Sequence, residues 1–102
     1  MKNFEDHVEK AVDVAGRSIK FGDYLYELVG SRPFFHRVVK INRYEIKFIS
    51  VMRDGGFWAL YLDGKPHNHY NPTENMLIIN ESIIPTFPYQ LLLAANASMK
   101  SE

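Results

Sequence analysis

Apolar residues at the start of the chain recur at the spacing of one face of a helix. Between residues 1 and 16 these positions are Phe4, Val8, Ala11, Val12 and Ala15. Asn3 is a typical N-cap, and Gly16 stands where a helix commonly ends in a left-handed cap. The pattern therefore predicts an amphipathic helix over residues 1–16.

After Gly16 the period of the apolar positions changes to two, which is typical of half-buried strands. Strands are predicted over residues 24–29, 35–41, 44–52, 57–62 and 76–79. Asp54-Gly55 is a strong hairpin signal, because glycine tolerates the positive φ of a tight turn. Within the third strand the apolar positions change face between Phe48 and Ile49, which predicts a bulge or a sharp bend.

The end of the chain returns to helical spacing. Pro88 is acceptable in the first turn of a helix, where its missing N–H has no intrahelical partner to lose. The residues expected to face the body of the protein are Leu91, Leu92, Ala95 and Met99. The sequence therefore predicts a second helix over residues 86–99.

Together these elements predict one α+β domain, mainly β, over residues 1–102, with a helix at 1–16, β-structure over 18–80 and a helix at 86–99. Short strands, tight turns and one change of face favour a small SH3-like antiparallel barrel of four to five strands. The alternative is a curved meander wrapped on the N-terminal helix, as in cystatin-like folds. Both folds pair nearest neighbours along the chain, so the sequence does not separate them.

Two segments resemble a known family. Ile19-Lys20-Phe21-Gly22-Asp23-Tyr24-Leu25-Tyr26 and Val38-Val39-Lys40-Ile41 are similar to the opening of KOW- and Tudor-type SH3-like barrels. In that family an apolar-x-apolar-Gly-Asp turn precedes the first strand, and the second strand carries a Val-x-x-Ile core pair. The chain departs from the family at Phe35-His36-Arg37, where KOW domains have a glycine. The resemblance implies a barrel and transfers no site residue; the chain as a whole is also similar to small accessory proteins of tailed phages.

Composition excludes several classes of site. The chain has no cysteine, so disulfides, thiolate zinc sites and cysteine nucleophiles are absent. No apolar stretch reaches the length of a membrane span, and the first residues turn acidic where a signal peptide would turn apolar. We therefore expect a cytoplasmic protein that does not bind a membrane.

The segment from Arg32 to Arg37 is the main candidate for function. Pro33 restricts the backbone, and the adjacent Phe34 and Phe35 point to opposite sides of an extended chain, so one is expected to face solvent. Exposed aromatic rings beside arginine are typical anchors of protein interfaces. The predicted partner-binding residues are Arg32, Phe34, Phe35, His36, Arg37 and Trp58. The first hypothesis is a non-catalytic interaction module that binds another protein, of the phage-accessory or host-modulating kind; association with a second copy is a further option.

A basic tract supports an alternative. The formal net charge is zero, but residues 17–53 carry eight basic and three acidic residues. Lysine and arginine neutralise phosphates and aromatic rings stack on bases, which is the chemistry of single-strand nucleic-acid binding. The residues of this alternative, within the tract 32–53, are Arg37, Lys40, Arg43, Tyr44, Lys47 and Arg53.

A metal-dependent enzyme is the third hypothesis. His67 and His69 lie on the same side of an extended segment and form a weak candidate pair of metal ligands, with Asp63 or His36 as further ligands. The sequence contains neither a glycine-flanked serine elbow nor a glycine-rich phosphate loop before a helix. We therefore predict no catalytic residue and no cofactor.

Overall fold

The computed structural model describes residues 11–42, 45–66 and 73–100. Within these ranges the strands are β1 (Tyr24–Val29), β2 (Arg32–Ile41), β3 (Glu45–Asp54), β4 (Phe57–Pro66) and β5 (Leu77–Ile79). A 3-10 helix (Glu81–Ile83) precedes the helix α1 (Thr86–Lys100). The α+β class, mainly β, and the C-terminal helix are therefore confirmed.

The strands form one antiparallel sheet in the order β4-β3-β2-β1-β5. Strands β1 to β4 follow one another as a meander, and β5 then returns to the outer side of β1. In the described part of the chain the sheet is open, because β5 pairs with β1 and not with β4. The predicted SH3-like barrel is therefore not what the structure shows: β5 has only three residues and lies at the opposite edge from β4.

The predicted N-terminal helix is not present over residues 11–16, the part of it that lies within the described ranges. Residues 1–10 lie outside the described ranges, and residues 11–16 form a turn. Val12 forms a β-bridge with Ser18, and the Asp13 N–H donates to the carbonyl of Arg17 at 2.9 Å. The Asp13 side chain accepts hydrogen bonds from backbone groups just after it, which favours a turn over a helix. The predicted end of that helix was wrong for this reason.

The two faces of the sheet are covered by different parts of the chain. We call the side under α1 the helix face; its buried cluster consists of Tyr24, Phe35, Ile49, Val51, Ile84 and Leu92. We call the other side the turn face; its buried cluster consists of Ala11, Ile19, Leu25, Val38, Ile46, Phe48 and Met76. The central strands are thus buried on both sides, a three-layer arrangement in the part of the sheet that α1 and the turn of residues 11–19 cover.

Burial of both faces explains the apolar pattern of β3. Ile46 and Phe48 lie on the turn face, whereas Ile49 and Val51 lie on the helix face. The bulge or bend predicted within the third strand is not observed; a register shift with β3 is present instead in β2, between Val38 and Lys40. The change of face in β3 therefore reflects two buried faces and not a bulge within that strand.

Two strands are longer than the sequence predicted. Strand β2 begins at Arg32 and not at residue 35, because it pairs with β1 as far as the turn at Gly30-Ser31. Strand β4 continues to Pro66, because Asp63 to Pro66 pair with the first half of β3. In both cases cross-strand pairing outweighs the turn-forming composition of the local sequence.

Candidate functional site

The six predicted partner-binding residues do not form one surface. Paired residues of an antiparallel sheet share a face. Arg32 and Phe34 lie opposite Val29 and Glu27, on the turn face. Arg37, paired with Ile49, belongs to the helix face. The remaining residues of the set are Phe35 and His36, which are buried, and Trp58, which is half-buried on the helix face.

Phe35 belongs to the core. It is 8% exposed, and its ring lies 5.4 Å from that of Tyr26 and 6.1 Å from that of Trp58. Trp58 in turn packs against this helix-face cluster and carries the Arg53 guanidinium over its ring at 5.8 Å. The exposed ring that the sequence predicted from the pair of phenylalanines is therefore not Phe35.

His36 is the centre of a buried polar network that the sequence did not reveal. Its Nδ1 is hydrogen-bonded to Ser50 Oγ at 2.7 Å, and its Nε2 lies 3.0 Å from Glu27 Oε1. His36 and Ser50 are 2% and 1% exposed. The imidazole also stacks on Phe34 and makes a tilted contact with Phe48, with ring centroids 5.6 and 5.1 Å apart.

The network joins the three adjacent strands β1, β2 and β3 through side chains on the turn face. An acid, an imidazole and a hydroxyl in a row is the order of groups in a hydrolytic triad. Here the hydroxyl is buried, so a substrate has no access to it, and the hydrogen bonds satisfy polar groups inside the sheet. The network could not be predicted from the sequence, because it depends on the register of β2 with β3, which places His36 opposite Ser50.

Arg37 belongs to a second polar cluster, which lies on the helix face. Arg37 Nη1 donates to the Tyr24 hydroxyl at 2.5 Å, and the guanidinium lies 5.0 Å from the centre of that ring. The Tyr24 ring is 6.0 Å from Tyr89, whose hydroxyl donates to Glu81 Oε2 at 2.5 Å. The hydrogen bond to this carboxylate, assisted by burial, raises the pKa of Tyr89 to about 12. Arg37 thus supports the contact of β1 and β2 with α1.

The described cations of the basic tract are partly neutralised. Lys40 and Lys47 lie opposite each other on β2 and β3, and both approach Glu45, at 3.3 and 4.0 Å. Arg53 stands at the other end of β3, about 20 Å from Lys47 at a rise of roughly 3.3 Å per residue. Arg43 and Tyr44 lie outside the described residues.

The candidate metal ligands His67 and His69 lie outside the described residues. Within residues 11–42, 45–66 and 73–100, no three histidine, aspartate or glutamate side chains are grouped so as to hold a metal ion. None of the helices in these ranges combines the length and the apolar character needed to cross a membrane.

Asp13 fastens β5 to the turn before β1. Its buried carboxylate accepts from the backbone N–H of Arg17 at 2.8 Å and of Ile78 at 2.9 Å. It also accepts from Arg17 Nη2 at 2.8 Å, and that same nitrogen reaches the Ile78 carbonyl at 2.7 Å. Burial alone raises the pKa of Asp13, but these hydrogen bonds and the guanidinium charge lower it to about 2. The short strand β5 is therefore held by a carboxylate that stays ionised.

A recess lies beside β5. It has a volume of about 550 Å³ and is lined by Tyr26, Glu27, Leu28, Val29, Gly30, Asn75 and Leu77. Strand β5 pairs only with Tyr24, Leu25 and Tyr26, so the recess follows the second half of β1. We call this recess the β1 groove. Its exposed apolar residues are Leu28, Val29 and Leu77, with 58%, 48% and 37% of their surface accessible.

The chain turns away from β1 just before the groove. The Met76 N–H donates to the Thr73 carbonyl at 3.0 Å, and the Met76 carbonyl accepts from Val14 at 2.7 Å. Met76 is buried in the turn-face cluster, and its backbone N–H and carbonyl are engaged by Thr73 and Val14. The sequence contained no signal for the groove, because it depends on where β5 begins to pair.

No family model matches this chain, and neither do curated proteins or solved structures.

Proposed function

We propose that this protein is a non-catalytic module that binds another protein, and that an extended segment of the partner lies along the β1 groove. The observation that carries the proposal is the incomplete cover of β1. Its first half is paired with β5, whereas Leu28 and Val29 in its second half are exposed beside a recess of about 550 Å³.

Strand addition is the mode of binding that suits this edge. A peptide that adds to a sheet gains main-chain hydrogen bonds, and its alternate side chains are read by pockets on the two faces. Strand β5 already shows that β1 accepts an antiparallel neighbour on this side. A partner segment would continue in line with β5, taking the position that the protein's own chain leaves at Met76.

The chemistry of the groove defines the partner segment. Leu28 and Leu77 lie on the helix face, since Leu28 is paired with Pro33 and Leu77 with Tyr26. Val29 lies on the turn face, opposite Arg32. A segment with apolar residues at alternate positions would place them beside the two leucines, and main-chain pairing requires no particular residue between them.

Two of the sequence-predicted residues border this site. Arg32 is exposed at the end of the β1–β2 hairpin, where it approaches Asp54 at 3.6 Å, and Phe34 is half-buried opposite Glu27. Both lie one strand in from the groove on the turn face, so a bound partner that extends beyond β1 meets them there. A role as an accessory or host-modulating protein, which the phage-like character of the sequence suggested, needs a binding site of this kind and no catalytic group.

The proposal is tested by selecting binders from a library of random, unstructured peptides. We expect selected peptides to carry apolar residues at alternate positions and to perturb the amide NMR signals of residues 27–30 and 77. Leu28→Asp should weaken their binding about tenfold, or about 1.4 kcal/mol, because it places a charge beside the apolar segment.

Phe87→Asp is the matched control. Phe87 is 57% exposed, close to the value for Leu28, but it lies on α1 away from the groove lining. Binding that survives Leu28→Asp and is lost in Phe87→Asp would contradict the proposed site. A failure of the selection to yield any peptide that perturbs β1 would contradict binding by strand addition.

A further inference from the structure

We propose that two copies of this protein associate through their β4 strands, as an antiparallel pair centred on Leu60, to form one continuous sheet with a two-fold axis. The site lies at the opposite edge of the sheet from the β1 groove. The inference is therefore independent of the proposed partner-binding function, and either one can fail alone.

Strand β4 is a long and regular edge. It has ten residues and pairs with β3 on its inner side without a register shift, while none of the described strands pairs with its outer side. A regular edge strand presents a row of main-chain donors and acceptors to any strand that fits it. Strand β4 therefore offers what strand addition requires over most of its length.

Over the first six residues of β4 the edge also lacks the usual protection. Soluble proteins guard long edge strands with charged residues, proline or bulges. The first six residues of β4, Phe57 to Leu62, contain no charged residue, glycine or proline. Phe57, Leu60 and Leu62 expose 80%, 45% and 59% of their surface. An unprotected edge with exposed apolar side chains is typical of an interface between chains.

The side chains of β4 define a self-complementary register. Trp58, Leu60 and Leu62 are paired with Arg53, Val51 and Ile49 of β3, so all three lie on the helix face. A two-fold axis perpendicular to the sheet keeps corresponding faces together. With Leu60 on the axis, it lies opposite Leu60 of the second copy, and Trp58 lies opposite Leu62. Each of the three apolar positions then faces another apolar residue.

Neighbouring registers lose this match. An axis at Ala59 places Leu62 opposite Gly56, which lies outside β4. An axis at Tyr61 places Trp58 opposite Gly64, and an axis at Leu62 places Trp58 opposite Pro66 and Leu60 opposite Gly64. Glycine has no side chain to pack, and proline has no N–H to donate to the pairing. The register centred on Leu60 is therefore the one that the sequence of β4 favours.

A second copy suits this edge better than a charged partner. The strand that would form the interface has no charge between Phe57 and Leu62, so it does not select an oppositely charged protein. The formal net charge of the whole chain is zero, so two copies approach each other without overall electrostatic repulsion. Apolar self-complementarity is what remains to determine the partner.

Cross-linking through an introduced cysteine tests the register directly, because the chain has no cysteine of its own. In the proposed dimer the two Leu60→Cys residues are directly opposite, with Cα atoms roughly 4.5–5.5 Å apart. That separation lies within the range of a disulfide. Under mild oxidation we expect Leu60→Cys to accumulate as a covalent dimer. Leu28→Cys, equally on the helix face and 58% exposed, lies at the other edge and should form no covalent dimer.

Sedimentation equilibrium tests the association without a covalent bond. We expect the unmodified chain to sediment as a dimer and Leu60→Lys as a monomer with an unchanged circular dichroism spectrum. Leu28→Lys should remain a dimer. The inference is overturned if the unmodified chain is monomeric at every concentration that stays free of precipitate, or if both cysteine variants cross-link equally fast. Open-ended oligomers would overturn the two-fold geometry, because a two-fold pair closes.

Discussion

The two edges of the sheet differ in how much of the edge strand is covered by other parts of the chain. At one edge, β5 covers the first half of β1, and a buried carboxylate ties that short strand to the preceding turn. At the other edge, none of the described strands pairs with the outer side of β4, and the first six residues of this strand carry no charge. A partly covered edge leaves a groove of limited length, whereas an uncovered edge accepts a whole strand. The first suits a peptide segment and the second suits another sheet.

The largest effect is expected where both edges depend on the same core. Phe48→Ala should destabilise the fold by about 3–5 kcal/mol, because the ring is fully buried in β3 between the edge strands and its removal leaves a cavity. Chemical denaturation monitored by tryptophan fluorescence measures this loss. We expect both peptide binding and dimerisation to weaken together.

Phe57→Ala is the matched control, because the same side chain is 80% exposed at the start of β4. Its effect on the stability of the isolated subunit should stay within about 0.5 kcal/mol. If Phe57→Ala and Phe48→Ala lower the free energy of unfolding equally, Phe57 is buried in the protein as measured. A loss for Phe57→Ala that appears only at high protein concentration would show that the dimer buries this ring.

A smaller effect is expected at the covered edge alone. Asp13→Asn should destabilise the protein by about 2–3 kcal/mol, because it removes a charged acceptor from the backbone N–H groups of Arg17 and Ile78. Hydrogen exchange at the Ile78 and Ile79 amides should accelerate, while exchange in β4 should change little. Equal acceleration at both edges would contradict a local role for Asp13.

The same residue predicts a pH dependence. Its pKa in the folded protein is about 2, below the ordinary value of 3.8, so its contribution is complete above pH 3.8 and is lost as the pH falls towards 2. Denaturation series between pH 5 and 2 should therefore show the native chain losing stability that Asp13→Asn does not lose. Parallel pH profiles for the two proteins would contradict this assignment.

The buried network should contribute less. Ser50→Ala is expected to cost about 1–2 kcal/mol, because His36 Nδ1 loses a buried hydrogen-bond partner within a sheet that otherwise keeps its packing. Thermal unfolding measures the change. Peptide binding at the β1 groove should be retained, since Ser50 does not line it. Loss of an enzymatic activity in this variant, with the fold intact, would contradict a purely structural network.

The smallest effects are expected for the exposed cations between the edges. Lys40→Gln and Lys47→Gln should each change stability by less than about 1 kcal/mol, because both side chains are solvent-exposed ion-pair partners of Glu45. Gel-shift titrations with single- and double-stranded nucleic acid test the alternative function. We expect no binding that weakens steeply with salt; such binding, if lost in these variants, would favour the nucleic-acid hypothesis instead.

Local patterns predicted most of the elements but not their environment. The bounds of β1 and the existence of α1 followed from apolar spacing, and the tight turn between β3 and β4 followed from Asp54-Gly55. The change of face at Phe48 and Ile49 was a true signal, yet its meaning depended on both faces of β3 being covered. Periodicity records which positions avoid water, and it does not record what covers them.

The candidate sites were harder to predict because each depends on pairing. Phe35 and His36 belong to a sequence that resembles an exposed interface loop, but pairing of β2 with β1 and β3 buries them. The β1 groove exists because β5 stops after three pairs, which no local signal marks. His67, His69, Arg43 and Tyr44 lie outside the described residues, so the hypotheses that use them stay predictions.

The amino-acid sequence by itself determined that this is a cysteine-free chain rich in β-structure, with a helix near its end and neutral overall charge. Only the tertiary structure decided that the sheet is open and which of its edges is covered. The physical reason is that hydrogen bonds between strands form across long separations in the chain, so the choice of neighbours depends on the whole fold. An exposed edge is a property of that choice and not of any single segment.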